Sequence, residues 1–254
     1  EDVNNVIIAD GVNVINIITI KKIMGEKRGR KPKNRLPEKQ SLFVNEVKPK
    51  TEKQRELINS IEKNEVTISV GSSGVGKTFI ALATSLGLLG DKYKKIILCK
   101  SVTSIPGENI GYLPGSVEEK MEPFIMSYVW NIDKICGEGS GKSLMDKKLI
   151  EVLPLAYIRG LSIDNSIVLI DECQNLTDHT FKTIMTRIGS NSKYIFLGDI
   201  EQIDRKNQSE SCLAKVLNIF KESNVIGTIE FDDSDCVRNP IIPKILQRLR
   251  EFGI

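Results

Sequence analysis

This chain of 254 residues is poor in the side chains that mark several functional classes: it has one histidine, one tryptophan and an aromatic content of 6%. The single histidine, His179, falls within a predicted helix and has no Cys or His partner at metal-ligand spacing, so we expect it on the surface. The five cysteines are odd in number and include no C-x-x-C pair. This pattern is typical of a protein in the reducing cytoplasm.

Long hydrophobic runs are also missing. The longest apolar stretch near the start, 12–20, is interrupted by Asn13, Asn16 and Thr19 and is too short to span a bilayer. No basic segment precedes it, so the sequence shows no secretory signal, and the first residue is Glu1 rather than Met. With 40% hydrophobic and 27% charged residues, we expect a soluble, cytoplasmic protein with one substantial core and no membrane partner.

Basic charge is concentrated in one early segment. Residues 21–39 carry nine Lys or Arg against two Glu, a local net charge of +7 in a chain whose net charge is +3. Attraction to polyanions is therefore concentrated there. The two prolines and the low apolar content of this segment favour a flexible linker, and a nonspecific nucleic-acid arm is the alternative.

Two β-rich runs precede the basic segment. They cover residues 3–9 and 12–20 and flank Asp10-Gly11, a pattern that is typical of a β-hairpin. The sequence thus divides into a hairpin at 1–20, a basic linker at 21–47 and a main domain at 48–254.

The most informative feature is a complete phosphate loop of the form G-x-x-x-x-G-K-[ST]. Its members are Gly71, Ser72, Ser73, Gly74, Val75, Gly76, Lys77 and Thr78. The apolar run 66–70 before it predicts a strand, and the pattern over 78–89 predicts a helix, which is the context that such a loop needs. Its glycines allow backbone N–H groups to surround phosphates at the positive end of the helix. We expect Lys77 to reach the β- and γ-phosphates and the Thr78 hydroxyl to hold Mg²⁺.

Helical and strand patterns alternate from about residue 51 onward. The candidate core strands are 66–70, 96–99, 166–170, 194–198 and 225–231. Their continuous apolar character suits central strands that are covered on both faces. The helical patterns cover 52–61, 78–89, 117–130, 178–188, 211–222 and 241–252. This order predicts an α/β, three-layer domain with a mainly parallel sheet.

A second glycine-rich segment, GEGSGKS at 137–143, superficially resembles another phosphate loop. The first glycine of the motif would have to stand at position 136, which is Cys136, and no apolar strand leads into the segment. We therefore interpret residues 137–143 as a mobile loop without a nucleotide-binding role.

Two carboxylates follow the strand pattern at 166–170. Ligands of open α/β sheets bind at the carboxyl edge, where Asp171 and Glu172 fall. We expect Asp171 to orient Mg²⁺ through its water shell and Glu172 to polarise the water that attacks the γ-phosphate. The next strand pattern ends in GDIEQ at 198–202, and the Gln202 carboxamide is a candidate sensor of the γ-phosphate.

Hydrolysis usually needs a cationic group on the transferring phosphoryl group. Arg238, just before the last predicted helix, is the first candidate, and Arg159 and Arg187 are the alternatives. Each of the three is also compatible with a role as a surface or ion-paired arginine.

Several of these motifs together resemble the PhoH-like ATPases, a family known from bacteria and their phages. The similarity is carried by AYIRG (156–160), IVLIDECQN (167–175), MTRIGSNSKYIFLGDIEQID (185–204) and FDDSDCVRNPII (231–242), and by GENIGYLPGSVEEKMEPF (107–124) before them. It covers roughly residues 48 to 250. The sequence departs from the family pattern at Lys100-Ser101, where we expect Arg-Pro, and at Cys212, where the family tends to have Gly.

The resemblance implies a P-loop NTPase with a single RecA-like lobe, related to superfamily-one helicases. It also implies that Lys50-Thr51 and Gln54 form the element that recognises adenine, so that ATP with Mg²⁺ is the expected cofactor. Helicase-type translocation generally needs two lobes, and the chain has sequence for one. We therefore expect a homo-oligomeric ring, a hexamer, in which Arg238 or Arg159 acts across the subunit interface.

The leading hypothesis is Mg²⁺-dependent ATP hydrolysis coupled to the binding or remodelling of RNA or single-stranded DNA, as in a helicase or translocase. Its nucleic-acid part rests on the resemblance and the basic segment, because no RNP-type aromatic motif is evident. One alternative is a nucleotide-controlled assembly module that binds a protein partner through the hairpin. A small-molecule kinase is the other, and it would need an Arg-rich lid.

Overall fold

The computed structural model describes residues 44–100, 117–158, 160–202, 211–221, 223–238 and 241–252. The predicted hairpin and most of the predicted linker lie outside these ranges. The helices are α1 (Glu52–Lys63), α2 (Lys77–Leu88), α3 (Val117–Cys136), α4 (Ser140–Asp146), α5 (Leu155–Ile158), α6 (Asp178–Met185), α7 (Leu213–Phe220) and α8 (Ile241–Glu251). The strands are β1 (Val66–Val70), β2 (Lys95–Lys100), β3 (Ile150–Pro154), β4 (Ser166–Asp171), β5 (Lys193–Gly198) and β6 (Gly227–Glu230).

The six strands form one sheet in the order β3-β2-β4-β5-β1-β6, and every pairing between them is parallel. Because all strands of a parallel sheet point the same way, their carboxyl ends share one edge. The strand β5 lies between β1 and β4, so the segments that follow these three strands meet at that edge. The predicted α/β fold is confirmed, and the described sheet is parallel throughout.

The core has two layers, one on each face of the sheet. In β4, Ile167 and Leu169 pack with α1, α2 and α3, whereas Val168 and Ile170 pack on the opposite face with α6 and α7. All four of these side chains are fully buried. Successive side chains of a strand point to opposite faces of the sheet. Because both faces of β4 are covered, both sets of side chains are apolar, and the sequence of the strand is a continuous apolar run.

The glycine-rich segment at 137–143 is not the loop that its sequence suggests. Gly139 has a φ of 79° and caps α4, which begins at Ser140. Gly141 is buried against α3: an added Cβ would lie 3.0 Å from the Val129 backbone, and the Gly141 N–H donates to Asp133 Oδ1 at 2.7 Å. The interpretation of 137–143 as a mobile loop is therefore wrong from Ser140 onward, because Gly139 allows the left-handed cap of α4 and Gly141 allows close packing on α3.

The strand patterns missed one strand and misjudged several ends. β3 was not predicted, because Glu151 and Pro154 interrupt the apolar run that would have indicated a strand. As an edge strand it pairs only with β2 within the described sheet, and edge positions tolerate such residues. The last strand is shorter than predicted, and α3 continues six residues beyond position 130.

The end of the predicted linker packs on the main domain. Val44 and Val47 contact the core cluster on the α1–α2–α3 face, and the Asn45 N–H donates to the Ile135 carbonyl at 3.0 Å. Residues 44–47 therefore belong with the domain rather than with a solvated linker.

His179 is exposed on α6, as predicted. All five cysteines are free thiols. No helix in the described ranges is both long and apolar enough to cross a membrane.

Candidate active site

A cleft of about 420 Å³ opens at the carboxyl edge of the sheet. The predicted site residues that line it are Gln54, Ser73, Gly74, Gly76, Lys77, Thr78, Asp171, Glu172, Gln202 and Arg238. Gly71 and Ser72 line an adjoining cavity of about 290 Å³, and the Val75 side chain is fully buried beneath the loop. Residues from distant parts of the sequence are thus brought together at one edge.

The phosphate loop has the backbone that its glycines make possible. Gly74 and Gly76 have φ values of 98° and 86°, in the left-handed region that favours glycine. α2 begins at Lys77, so the positive end of the helix faces the cleft. The Lys77 Nζ donates to the carbonyls of Gly71 at 2.7 Å and Ser72 at 2.9 Å.

The Lys77 ammonium is partly buried and lies near three carboxylates. Burial lowers its pKa below the usual lysine value, and the carboxylates of Asp199, Asp171 and Glu172 oppose that shift. The cleft therefore places the positively charged Lys77 ammonium close to three carboxylates, which favour its charged form.

Gln54 connects α1 to the phosphate loop. Its Nε2 donates to the Val75 carbonyl at 2.8 Å, its Oε1 accepts from the Lys50 N–H at 2.7 Å, and the residue is 2% exposed. An adenine ring would have to exchange hydrogen bonds with an amide that already supports the loop. Recognition of adenine by Gln54 stays a prediction, whereas its support of the loop is part of the described structure.

Asp171 joins the two halves of the site. The Thr78 hydroxyl lies 3.3 Å from Asp171 Oδ1, and the buried Tyr128 hydroxyl donates to Asp171 Oδ2 at 3.3 Å. Burial, followed by the neighbouring Glu172 charge, raises the pKa of Asp171, while Lys100 and the Glu172 N–H lower it. One hydroxyl and one carboxylate side by side are hard oxygen donors of the kind that Mg²⁺ takes, together with phosphate oxygens and water.

Glu172 has a left-handed backbone conformation, with φ 56° and ψ 41°. A residue other than glycine in this region carries local strain of about 1 kcal/mol, and such strain is concentrated at functional sites. The Glu172 Oε2 accepts from the Gln174 amide at 2.8 Å, and Oε1 lies 3.7 Å from the Lys100 Nζ. The side chain is therefore held by groups from two different segments.

The end of β5 supplies the third part of the cleft. Asp199 is buried between the phosphate loop and the acidic pair, and its Oδ2 accepts from the Gln202 Nε2 at 2.8 Å. Gln202 itself is exposed at the cleft. Its carboxamide is thus within the same pocket as Lys77 and Glu172, where the sequence predicted a γ-phosphate sensor.

The three candidate arginines have different positions. Arg238 lines the cleft of its own subunit, where its side chain packs over Gly74. Arg187 lies at the opposite, amino-terminal edge, where its carbonyl accepts from the Tyr194 hydroxyl, and it does not line the cleft. Arg159 lies outside the described residues. Of the two candidates among the described residues, Arg238 is the one that lines the cleft.

Sequence reasoning missed three residues of the site. Tyr128 contacts Asp171 from α3, Gln174 links Glu172 to the end of β5, and Lys100 contacts Glu172 from the end of β2. Gln174 stands inside the DECQN motif, where its position was a usable signal. No periodicity marks Tyr128, because its role depends on how α3 crosses the sheet.

A family model and several sequence relatives of this chain agree on one protein family. The PhoH-like protein family model matches residues 46–250. A PhoH-like protein of Bacillus subtilis is 34% identical over 225 residues, which cover 85% of this chain and 70% of that protein. A PhoH-like protein of Synechocystis is 35% identical over 79% of this chain and 61% of its own length, and protein PhoH of Escherichia coli is 30% identical over 78% and 56%.

Solved structures with a similar chain trace are more distant. A large terminase from a thermophilic bacteriophage has a TM-score of 0.48 at 15% identity, covering 80% of this chain and 50% of its own. Pif1 helicase from Candida albicans has a TM-score of 0.40 at 14% identity, covering 79% and 43%.

The family assignment rests on the sequence relatives. Their similarity extends over the phosphate loop, the acidic pair and the β5 segment that line the cleft. The chain belongs to the PhoH-like protein family.

Proposed function

We propose that the protein hydrolyses ATP in the cleft at the carboxyl edge of the sheet. The observation that carries this proposal is the contact between Thr78 of the phosphate loop and Asp171 of the acidic pair, with Glu172 beside them. A phosphate-binding loop alone would serve any phosphorylated ligand. A hydroxyl, a metal-binding carboxylate and a second carboxylate in one cleft have the chemistry that NTP hydrolysis needs.

Nucleotide binding is assigned to the loop and its lysine. The backbone N–H groups of residues 71–78 would surround the phosphates at the positive end of α2. The Lys77 Nζ, which donates to the carbonyls of Gly71 and Ser72, would donate to phosphate oxygens when nucleotide is bound. Thr78 and Asp171 would hold Mg²⁺, which supplies charge neutralisation of the phosphate oxygens when it is bound. Gln54 also lines the cleft, and we assign it to adenine, which would have to take over one of the two hydrogen bonds that its amide makes with Lys50 and Val75.

Three further side chains are assigned to the hydrolytic step. Glu172 polarises the attacking water by accepting its proton, Gln202 senses the γ-phosphate, and Arg238 stabilises the charge that develops on the transferring phosphoryl group. All three line the same cleft as Lys77. The packing of Arg238 over Gly74 supports action within its own subunit.

We further propose that hydrolysis is coupled to RNA or single-stranded DNA, in a homo-oligomeric ring with hexameric symmetry. The support for nucleic-acid binding is the local charge of +7 in residues 21–39. A ring would supply the neighbouring lobe that helicase-type motion needs.

Glu172→Gln and Lys77→Ala test the site assignment. We expect Glu172→Gln to lower ATP turnover by at least ~100-fold while ATP binding persists, because only the proton acceptor is lost. Lys77→Ala removes a phosphate ligand and is expected to weaken ATP binding itself. Phosphate release and equilibrium binding of a fluorescent ATP analogue measure the two effects.

The exposed residues Glu138 and Lys142 provide matched controls, as Glu138→Gln and Lys142→Ala. Both control variants are expected to behave as wild type. Full turnover in Lys77→Ala would show that the assignment of the site is wrong.

Coupling to nucleic acid is tested by ATP turnover with and without single-stranded RNA or DNA oligonucleotides. We expect turnover to rise several-fold and the rise to disappear at high salt, because phosphate contacts by Lys and Arg are screened. Heparin controls for the effect of a polyanion alone. If neither oligonucleotide binds or changes the rate, the coupling is refuted and the nucleotide-controlled assembly module becomes the better interpretation.

Mixed oligomers test which subunit uses Arg238. Arg238→Ala is expected to lower turnover by at least ~10-fold. Mixing it with Lys77→Ala subunits is expected to give no recovery, because Arg238 lies in the cleft of its own subunit. Recovery in the mixture would instead mean that Arg238 completes the site of a neighbour, since an intact loop and an intact arginine would then meet across an interface.

A further inference from the structure

The carboxylate of Glu172 is held on both oxygens. Oε2 accepts the Gln174 amide at 2.8 Å, and Oε1 forms an ion pair with the Lys100 Nζ at 3.7 Å. To accept a proton from a water molecule, a carboxylate needs an oxygen within hydrogen-bond reach of that water. Gln174 and Lys100 therefore determine whether a Glu172 oxygen is available to a water molecule. Gln174 is a fixed partner and Lys100 an exchangeable one.

Gln174 is the fixed partner. It is 3% exposed, and its Oε1 accepts from the Asp199 N–H at 3.2 Å while its backbone carbonyl accepts from the Ser211 hydroxyl at 2.6 Å. Its amide thus bridges Glu172 at the end of β4 and Asp199 at the end of β5. A buried amide with this many partners cannot release one of them without leaving polar atoms unpaired.

Lys100 is the exchangeable partner. Its side chain keeps 25% of its surface exposed, and its distance to Glu172 is that of a loose ion pair. In the same position, its Nζ lies 5.2 Å from the centre of the Phe124 ring, which stabilises the ammonium by a second contact. Lys100 is the last residue of β2 and pairs in register with Asp171, so its charge sits beside both acidic residues.

We propose that Lys100 is a positioning residue that restrains Glu172, and that a phosphodiester ligand bound by Lys100 releases it. This inference rests on the proposed ATPase function. An ammonium beside Oε1 competes with the attacking water for that oxygen, and a phosphate oxygen competes with Glu172 for the ammonium. Binding of the ligand would thereby be linked to the rate of hydrolysis through one lysine at the end of β2.

The direct test compares Lys100→Gln with Lys95→Gln. Lys95 is the matched control, because it lies at the other end of β2 and also forms an ion pair, with Glu151 at 3.0 Å, away from the cleft. We expect Lys100→Gln to raise kcat for ATP about threefold without nucleic acid, with little change in KM. Such a factor lies within the range that a partly exposed ion pair allows.

The response to nucleic acid separates restraint from a structural role. With a single-stranded oligo(dT) or oligo(U) as probe, Lys100→Gln is expected to lose most of the stimulation that wild type and Lys95→Gln show. Lys100→Arg, which keeps a cation at the position, is expected to restore that response. Thermal unfolding temperatures of the variants check that the fold is unchanged.

The outcomes distinguish this inference from the proposed function. If wild type hydrolyses ATP and Lys100→Gln is equally fast or slower, the restraint by Lys100 is refuted and the ATPase stands. If neither protein hydrolyses ATP, both proposals fall. A faster Lys100→Gln that keeps the full response to oligonucleotide supports the restraint and overturns its release by a phosphodiester ligand.

Discussion

The contact between Thr78 and Asp171 is the constraint on which the rest of the site depends. These residues are 93 positions apart in sequence, and their side chains meet at 3.3 Å. At this contact the Asp171 carboxylate is buried beside the carboxylate of Glu172, and both the burial and the neighbouring charge raise the pKa of Asp171. Such an arrangement is costly unless a cation or hydrogen-bond donors compensate it, and Thr78, Tyr128 and the Glu172 N–H are the donors present.

The sheet order makes this contact possible. Since β5 lies between β1 and β4, the phosphate loop and the acidic pair approach each other across the end of β5. Gly198 ends that strand, and an added Cβ there would meet the Cys173 Sγ at 2.8 Å and Leu213 Cδ2 at 2.9 Å. The small residue allows the segments after β4 and β5 to pack closely, which also brings Gln174 against Asp199.

Much of the fold was predictable because its strands are covered on both faces and its loop motif is specific. Continuous apolar runs located β1, β4 and β5, and the phosphate loop located the carboxyl edge. β3 escaped prediction because an edge strand tolerates Glu151 and Pro154. The segment at 137–143 was predicted wrongly because a glycine that caps a helix, Gly139, and one that allows helix packing, Gly141, cannot be told from loop glycines by composition.

The residues of the candidate site also differ in how far the sequence predicted them. Lys77, Thr78, Asp171 and Glu172 belong to local motifs and were predicted from sequence, and they line one cleft. Tyr128 and Lys100 reach it through contacts that only the packing of α3 and the register of β2 create. Gln174 is intermediate, because it belongs to a motif but its partners come from β5 and the segment before α7. Residues that hold other residues carry little signal of their own in a single sequence.

We propose that Asp171 connects the phosphate loop to hydrolysis by holding Mg²⁺ together with Thr78. The most direct measurement is ATP turnover as a function of Mg²⁺ concentration for wild type and Asp171→Asn, with the exposed Asp146→Asn as control. We expect Asp171→Asn to lose turnover at every Mg²⁺ concentration, while Asp146→Asn follows wild type. An Asp171→Asn protein with wild-type turnover and wild-type Mg²⁺ dependence would contradict this proposal.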